Sequence, residues 1–347
     1  AASPRRATRC GSRRSGSGKG ESDITEMVKA GASVAALCDV DWRSGAKSFA
    51  RYPDAKQFKD YREMLATMGN EIDAVSVSTP DHTHAVATMA ALKLNKPVFT
   101  QKPMTRTMSE VRALVAEAKV RKVPTQMGNQ FHAGAGTRII REAYEAGLIG
   151  EIREIHYWTN RPVWPQGLDR PTDAHNPHPT FDWNLWQGPA PERPYNPAYA
   201  PFKWRGWWDY GTGALGDIAC HAMDAAFWAF DLRNPARITP ESSQMFEETA
   251  PKQSRVQYDF PATAKRPAIK VVWRDGSIWP ARPAEIGDKD QWPIGEVGGQ
   301  MWVGTDGAMV ADAYGDSLRI LNPKRHEQWV KTPPKPTYAR SPGAYAE

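Results

Sequence analysis

Cysteine is scarce in this chain: its 347 residues hold three, Cys10, Cys38 and Cys220. They are too few and too scattered for a disulfide scaffold or a four-cysteine zinc module. No apolar run approaches the ~18 residues that a membrane-spanning helix needs, so an integral membrane protein is not expected. Residues 1–20 lack Val, Ile, Leu and Phe altogether, and they lack acidic residues as well. Without aliphatic side chains, that segment is not expected to supply a buried strand. Its arginine pairs, Arg5-Arg6 and Arg13-Arg14, are followed by polar residues 15–23 where a signal peptide needs an apolar stretch. No targeting segment is readable. A cytoplasmic location stays open, as does a periplasmic one reached through a signal lost from the N-terminus.

The formal charge of +6 is concentrated in the same segment, where Arg5, Arg6, Arg9, Arg13, Arg14 and Lys19 stand without an acid. Setting those six aside leaves 39 basic residues against 39 acidic ones, so the body of the protein is neutral. Residues 1–20 therefore read as a solvated, disordered basic tail, and neither nucleic acid nor membrane is an expected partner. The apolar share of 40% supports a large core, and the length suits two domains. Tryptophan is abundant, with 14 in all; seven fall between Trp158 and Trp208.

From residue 21 onward the pattern is regular. Ile24, Met27 and Val28 space like one face of a helix that Gly31 stops. A nearly continuous apolar run at 33–40 reads as a strand, as do the segments 74–79, 98–99 and 124–127. They alternate with helices expected near 43–51, 60–68, 84–94 and 109–120, the last capped by Ser109. That alternation predicts βαβ units and a parallel sheet. After about residue 150 the style changes. A strand begins at Ile152, a Pro- and Trp-rich segment follows from 161 to 208, and a helix is expected over 214–231. Runs at 255–258, 268–273 and 301–303 then look like strands of a second sheet.

Parallel α/β sheets bind ligands at the carboxyl ends of their strands. The first such end carries Asp39, placed to accept hydrogen bonds from a ribose and to repel a 2′-phosphate, with Arg43 close enough to soften that preference. Gly16, Gly18 and Gly20 lie about 20 residues upstream, the spacing of a phosphate-binding loop, although no strand is expected before them. The second end is Thr79-Pro80-Asp81-His82-Thr83-His84. The third is Thr100-Gln101-Lys102-Pro103, where partial desolvation is expected to lower the pKa of Lys102; the alternative is a surface turn. Asp217 and His221 are four apart on an expected helix, so they share a face and could form a metal pair, an acid/base pair or a packed structural pair. His82/His84 and His175/His178 have no third ligand at fixed spacing, so no metal site is expected.

Taken together, CDVD (Cys38 to Asp41), STPDHTHA (Ser78 to Ala85), TQKPM (Thr100 to Met104), MGNQ (Met127 to Gln130) and WRGWWDYGTGALGDIACH (Trp204 to His221) resemble the Gfo/Idh/MocA family of nicotinamide-dependent oxidoreductases. The resemblance implies a Rossmann-like parallel-sheet domain over 21–132. It also implies a C-terminal α/β domain over 133–347, whose open, mainly antiparallel sheet forms a homodimer or homotetramer interface. NAD is the implied cofactor ahead of NADP. Asp39, Thr79, Pro80, His84, Gln101, Asn129 and Gln130, with the three glycines, would bind it. Lys102 resembles the lysine of the family's Glu-Lys-Pro motif, with Gln101 in place of the Glu, and would donate to a developing oxyanion. His221 would be the base, and Asp217 would orient it or bind a neighbouring hydroxyl. Trp204, Arg205, Trp207 and Trp208 adjoin that helix and are expected to hold a sugar, polyol or glycoside, since sugar C–H faces stack on indoles. The implied reaction is hydride transfer between nicotinamide and a secondary alcohol. Glycoside cleavage with transient use of NAD, or an inactive binding protein, are the alternatives. Against the family pattern, the first strand is expected to be missing and the C-terminal sheet incomplete.

Overall fold

The structure is a computed structural model, and it describes residues 6–10, 19–287, 292, 295–333 and 335–346. Its first sheet contains β1 (Arg6–Cys10), β2 (Ser33–Cys38), β3 (Lys56–Phe58), β4 (Ala74–Val77), β5 (Val98–Gln101) and β6 (Thr125–Gly128). All pairings are parallel, in the order β3-β2-β1-β4-β5-β6.

The expectation of a disordered tail with no strand is therefore overturned for residues 6–10, which form the central strand. Arg6–Cys10 pairs with Ser33–Cys38 on one side, and Ala7–Cys10 with Ala74–Val77 on the other. The physical reason lies in the backbone. The facing edges of β2 and β4 each present amide and carbonyl groups that need partners once buried, and a strand lying between them satisfies both. Side-chain composition carries no signal of that demand. Lys19 and Gly20 likewise leave the tail and open helix α1 (Lys19–Lys29), while Gly16 and Gly18 lie outside the described residues.

The crossover helices are α2 (Trp42–Arg51), α3 (Tyr61–Met68), α4 (Asp81–Lys93) and α5 (Met108–Arg121). Asp41 and Asp60 cap α2 and α3 by accepting the N–H of the residue two further on. Thr107, rather than Ser109, caps α5 through a capping box with Glu110. Helix α4 buries His82, His84, Ala85, Ala87, Thr88, Ala91 and Leu92, so its small residues admit close contact with β5 and α5. Val75, Val77, Val98, Met64, Ile72 and Leu114 complete this core.

The second sheet contains β7 (Ile152–Thr159), β8 (Arg237–Ser242), β9 (Ser254–Phe260), β10 (Ile269–Arg274), β11 (Gly298–Gly304), β12 (Gly307–Asp312) and β13 (Arg319–Ile320). Its order is β13-β12-β11-β7-β10-β9-β8, and every pairing except β7 with β10 is antiparallel. Five helices accompany it: α6 (Ala135–Glu145), α7 (Trp183–Gln187), α8 (Gly213–Ala222), α9 (Asp224–Phe230) and α10 (Pro323–Lys331). The single helix expected over 214–231 divides at Met223 into α8 and α9. Residues of α6, α8 and α9 share a core with Ile155, Tyr157, Val271, Trp273 and Trp302 of the sheet. Trp273 is fully buried, and its indole N–H donates to Asp275 Oδ2 at 2.9 Å. Trp273→Ala is expected to destabilise the fold by about 3–5 kcal/mol, read as a lowered denaturation midpoint in urea.

The Pro- and Trp-rich segment is ordered around Phe181, Trp186, Tyr199, Trp204, Trp207 and Tyr210. It docks on the end of β2, where Asp182 N–H donates to Val40 O at 2.9 Å and Asp41 bridges to Phe181. That contact brings the second half of the chain over the strand ends of the first sheet. Among the described residues, no helix is long and apolar enough to cross a membrane.

Candidate active site

The strand ends open onto two neighbouring cavities. The first, of about 430 Å³, lies beyond β2 and is lined by Asp39, Lys59, Tyr61, Thr79, Pro80 and Trp186 among others. Asp39 is buried, and its Oδ1 accepts the Asp41 N–H at 2.9 Å. Arg43 turns away to form a two-point pair with Asp41, at 2.9 and 2.8 Å. Its guanidinium is thereby committed to Asp41 rather than offered to a 2′-phosphate.

The second cavity, about 900 Å³, gathers Lys102, Asp217 and His221 with Gln101, Gln130, Trp204 and Arg205. Lys102 Nζ donates to the Asp217 backbone carbonyl at 2.5 Å and to Asp217 Oδ1 at 3.0 Å. Arg205 Nε reaches the same Oδ1 at 3.3 Å, while its guanidinium lies 4.2 Å from the Trp204 ring centre. Burial alone would lower the Lys102 pKa, but the Asp217 carboxylate outweighs it and the net shift is upward. The sequence-based expectation of a lowered lysine pKa is thus corrected, because it considered desolvation without the partner 115 residues away. Asp217 in turn is held well below the carboxylate range, its burial overcome by Lys102 and Arg205.

His221 is oriented by Asn129, not by Asp217. Asn129 Nδ2 donates to Cys220 O at 2.9 Å, which leaves its Oδ1 to accept from His221 Nδ1 at 2.6 Å. This chain of donors fixes the tautomer with the proton on Nδ1 and the lone pair on Nε2. Burial, reinforced by Lys102, pushes the His221 pKa down to about 3, so the ring is neutral at ordinary pH. Phe131 and Tyr314 stack at 3.9 Å beside it, each presenting an edge contact to the imidazole.

Several expected site residues sit elsewhere. His84 lines neither cavity; its Nδ1 meets Pro103 O at 2.7 Å and its Nε2 meets Thr79 O at 2.8 Å, so it ties the β4 and β5 exit turns together. Trp207 is fully buried in the aromatic cluster, its indole donating to Ala198 O at 2.9 Å. Trp208 is 37% exposed and absent from the cavity wall. Of the four proposed substrate residues, only Trp204 and Arg205 line the cavity; they sit on the short 3-10 turn over 203–206, and the chain beyond it carries Trp207 into the core and Trp208 to the surface.

The sequence reading also missed residues that line the cleft or support it. Asp23, wholly buried in α1, accepts from Ser78 at 2.7 Å, Gln101 at 2.8 Å and Tyr345 at 2.6 Å, and pairs with Lys19 at 3.1 Å. Gln130 Nε2 also donates to the Tyr345 hydroxyl, at 3.0 Å. Asp81 is buried beside Lys102 and Asp217 and accepts from Thr212 Oγ1 at 2.9 Å. Burial first, then the charge of Asp217, raises its pKa to about 8. Tyr314 and Arg161 complete the wall. Of these, only Asp81 stood in a motif that could have flagged it.

Two family models match this chain. One, described as an oxidoreductase family with an NAD-binding Rossmann fold, matches residues 15–129; the other, the C-terminal alpha/beta domain of that family, matches residues 157–266. The chain belongs to the Gfo/Idh/MocA oxidoreductase family. It is similar to levoglucosan dehydrogenase of Pseudarthrobacter phenanthrenivorans, at 24% identity over 52% of this chain and 38% of that one. It is also similar to inositol 2-dehydrogenase 1 of Saccharopolyspora erythraea, at 32% identity over 37% of this chain and 38% of that one. The matched stretch thus spans well under half the length of these curated relatives. Among solved structures, the WlbA dehydrogenase of Bordetella pertussis in complex with NADH and UDP-GlcNAcA has a TM-score of 0.61 at 15% identity, covering 91% of this chain and 80% of that one. Levoglucosan dehydrogenase in complex with NADH and levoglucosan has a TM-score of 0.59 at 17% identity, covering 91% and 75%. These two likenesses establish the shared Rossmann-plus-open-sheet architecture.

Proposed function

We propose that this chain is an NAD-dependent dehydrogenase acting on a secondary alcohol of a sugar or polyol. The observation that carries the reading is the convergence of Lys102, Asp217 and a tautomer-fixed His221 in one cleft beside the Asp39 pocket. The residues fit the cofactor. A buried carboxylate at the end of β2 suits a ribose diol, and the partly apolar pocket beside it suits an adenine. Thr79 and Pro80 continue the wall toward Lys102, and Gln101 and Gln130 line the cleft there. When bound, the nicotinamide supplies the site that accepts or releases the hydride.

The chain's own residues supply the rest. His221 offers Nε2 as proton acceptor for the substrate hydroxyl, since Asn129 occupies the Nδ1 side. Lys102, kept charged by Asp217, donates to the substrate oxygen as negative charge grows there. Asp217 holds the ammonium and the Arg205 guanidinium at fixed positions and so keeps Lys102 aimed. The Phe131–Tyr314 stack gives the sugar ring an apolar surface to rest on, while Trp204, almost fully buried beneath the Arg205 guanidinium, backs the cleft wall.

The test begins with cofactor binding. Trp186 lines the Asp39 pocket, so tryptophan excitation should transfer energy to bound NADH saturably, and more weakly to NADPH. Asp39→Asn should weaken NADH by about tenfold or more, because a hydrogen bond to a charged group contributes roughly 1.5–3 kcal/mol. No saturable transfer up to millimolar NADH, from protein shown to be folded, would overturn the reading.

A further inference from the structure

The cleft carries more positive charge than its own acids balance. Its wall includes Lys19, Lys102, Arg161 and Arg205 against Asp81 and Asp217. Lys19 is matched by Asp23 at 3.1 Å. Lys102 and Arg205, however, converge on a single oxygen, Asp217 Oδ1, at 3.0 and 3.3 Å. One carboxylate thus serves two cations, the buried Arg205 and the part-buried Lys102. Asp81 does little to offset the excess, because its burial beside Asp217 favours the protonated form.

Arg161 adds a further cation at the end of β7. Its Nη1 donates to the neutral Asn160 Oδ1 at 2.6 Å, and among the described residues it makes no ion pair. Its backbone is fixed on both sides: its N–H donates to Thr159 Oγ1 at 3.2 Å, and its carbonyl accepts the Gly276 N–H at 2.6 Å. The side chain therefore stands at an anchored position on the cleft wall, with donors left over. A guanidinium fork matches the two oxygens of a carboxylate or phosphate, whereas a hydroxyl satisfies only one of its N–H groups. Uncompensated charge in a partly desolvated cleft is also costly unless the ligand neutralises it.

Resting on the dehydrogenase reading above, we propose that the carbohydrate substrate carries an anionic group, a carboxylate or a phosphate ester, and that Arg161 is its receptor. The sugar ring then lies against Tyr314 with its reacting carbon toward Lys102 and His221, and the anionic substituent points to the β7 end.

Steady-state turnover with NAD across matched sets tests this: glucose, glucuronate and glucose 6-phosphate, with the corresponding galactose, mannose and glucitol series. An acidic member should exceed its neutral parent in kcat/KM by at least about tenfold, the equivalent of one charge-assisted contact. Added salt should erode that preference. The carboxylate and phosphate arms separate the two sources of the anion. In Arg161→Gln the preference should collapse toward one, and in Arg161→Lys it should fall to an intermediate value, since the charge remains without the fork. Equal or better turnover of neutral members, turnover of none with NADH bound, or a preference untouched in Arg161→Gln would overturn the inference while leaving the cofactor result standing. Failure of NADH to bind would instead bring down the dehydrogenase reading, and this inference with it.

Discussion

Lys102→Ala is expected to lower kcat/KM by about 10²–10⁴-fold, the range for removing a positioned donor to a developing oxyanion. The ammonium is held by two oxygens of one residue, the Asp217 carbonyl and carboxylate, so its position is set in two directions. Removing it leaves Asp217 still paired with Arg205, which limits the structural damage. NADH binding, read by energy transfer, should therefore change by only a few-fold. Lys102→Arg should not rescue the rate, because a planar fork cannot place a donor on both Asp217 oxygens and the substrate at once. A Lys102→Ala enzyme within tenfold of wild type would sink the assignment. The same ion pair excludes Lys102 as the general base: Asp217 raises its pKa, and a permanently charged ammonium has no lone pair to offer. In the mechanism proposed above, that task falls to His221.

The parts of this site legible in the sequence are those fixed by local chain position. Asp39, Thr79, Lys102 and Asn129 each follow a segment that reads as a strand, and a parallel sheet brings all strand ends to one edge, so their clustering follows from the pattern. What stayed hidden depends on partners far along the chain. The Lys102–Asp217 pair spans 115 residues and the His221–Asn129 pair 92. The lysine's pKa direction therefore came out inverted, and of the two roles open to Asp217 the sequence does not show that Asn129 is the residue meeting His221 Nδ1. Tyr314 reaches the cleft from the turn after β12 with no motif around it, and Asp23 looks like an ordinary polar residue on a surface helix. Strand β1 was missed for a different reason. Its place is set by backbone pairing to β2 and β4, which aliphatic composition does not report. The tryptophans misled in the opposite direction: adjacency in sequence placed Trp207 and Trp208 with Trp204, yet one is core and the other surface.

The buried carboxyl of Asp81 should leave a distinct mark on stability. Its folded pKa of about 8 stands above a free value of 3.8. Between those two pH values the folded protein therefore binds a proton that the unfolded chain has lost. Stability from this group is complete below the unfolded pKa and is lost as pH rises through the folded one, with a slope of about 1.4 kcal/mol per pH unit. His221 acts in the opposite sense. Its folded pKa of about 3 against a free value of 6.5 costs stability as pH falls, so the two slopes oppose each other between about pH 4 and 6.5 and the wild-type curve alone conceals both. The comparison with Asp81→Asn isolates the carboxyl, since asparagine keeps an oxygen for the Thr212 hydroxyl but cannot ionise. Urea unfolding of both proteins at pH 5, 6.5 and 8 should show wild type losing ground to the variant at each step, by roughly 3–4 kcal/mol in all. Parallel stability curves would mean that Asp81 is ionised in the folded protein. The cleft would then hold a second compensating anion, and its excess of positive charge would shrink by one.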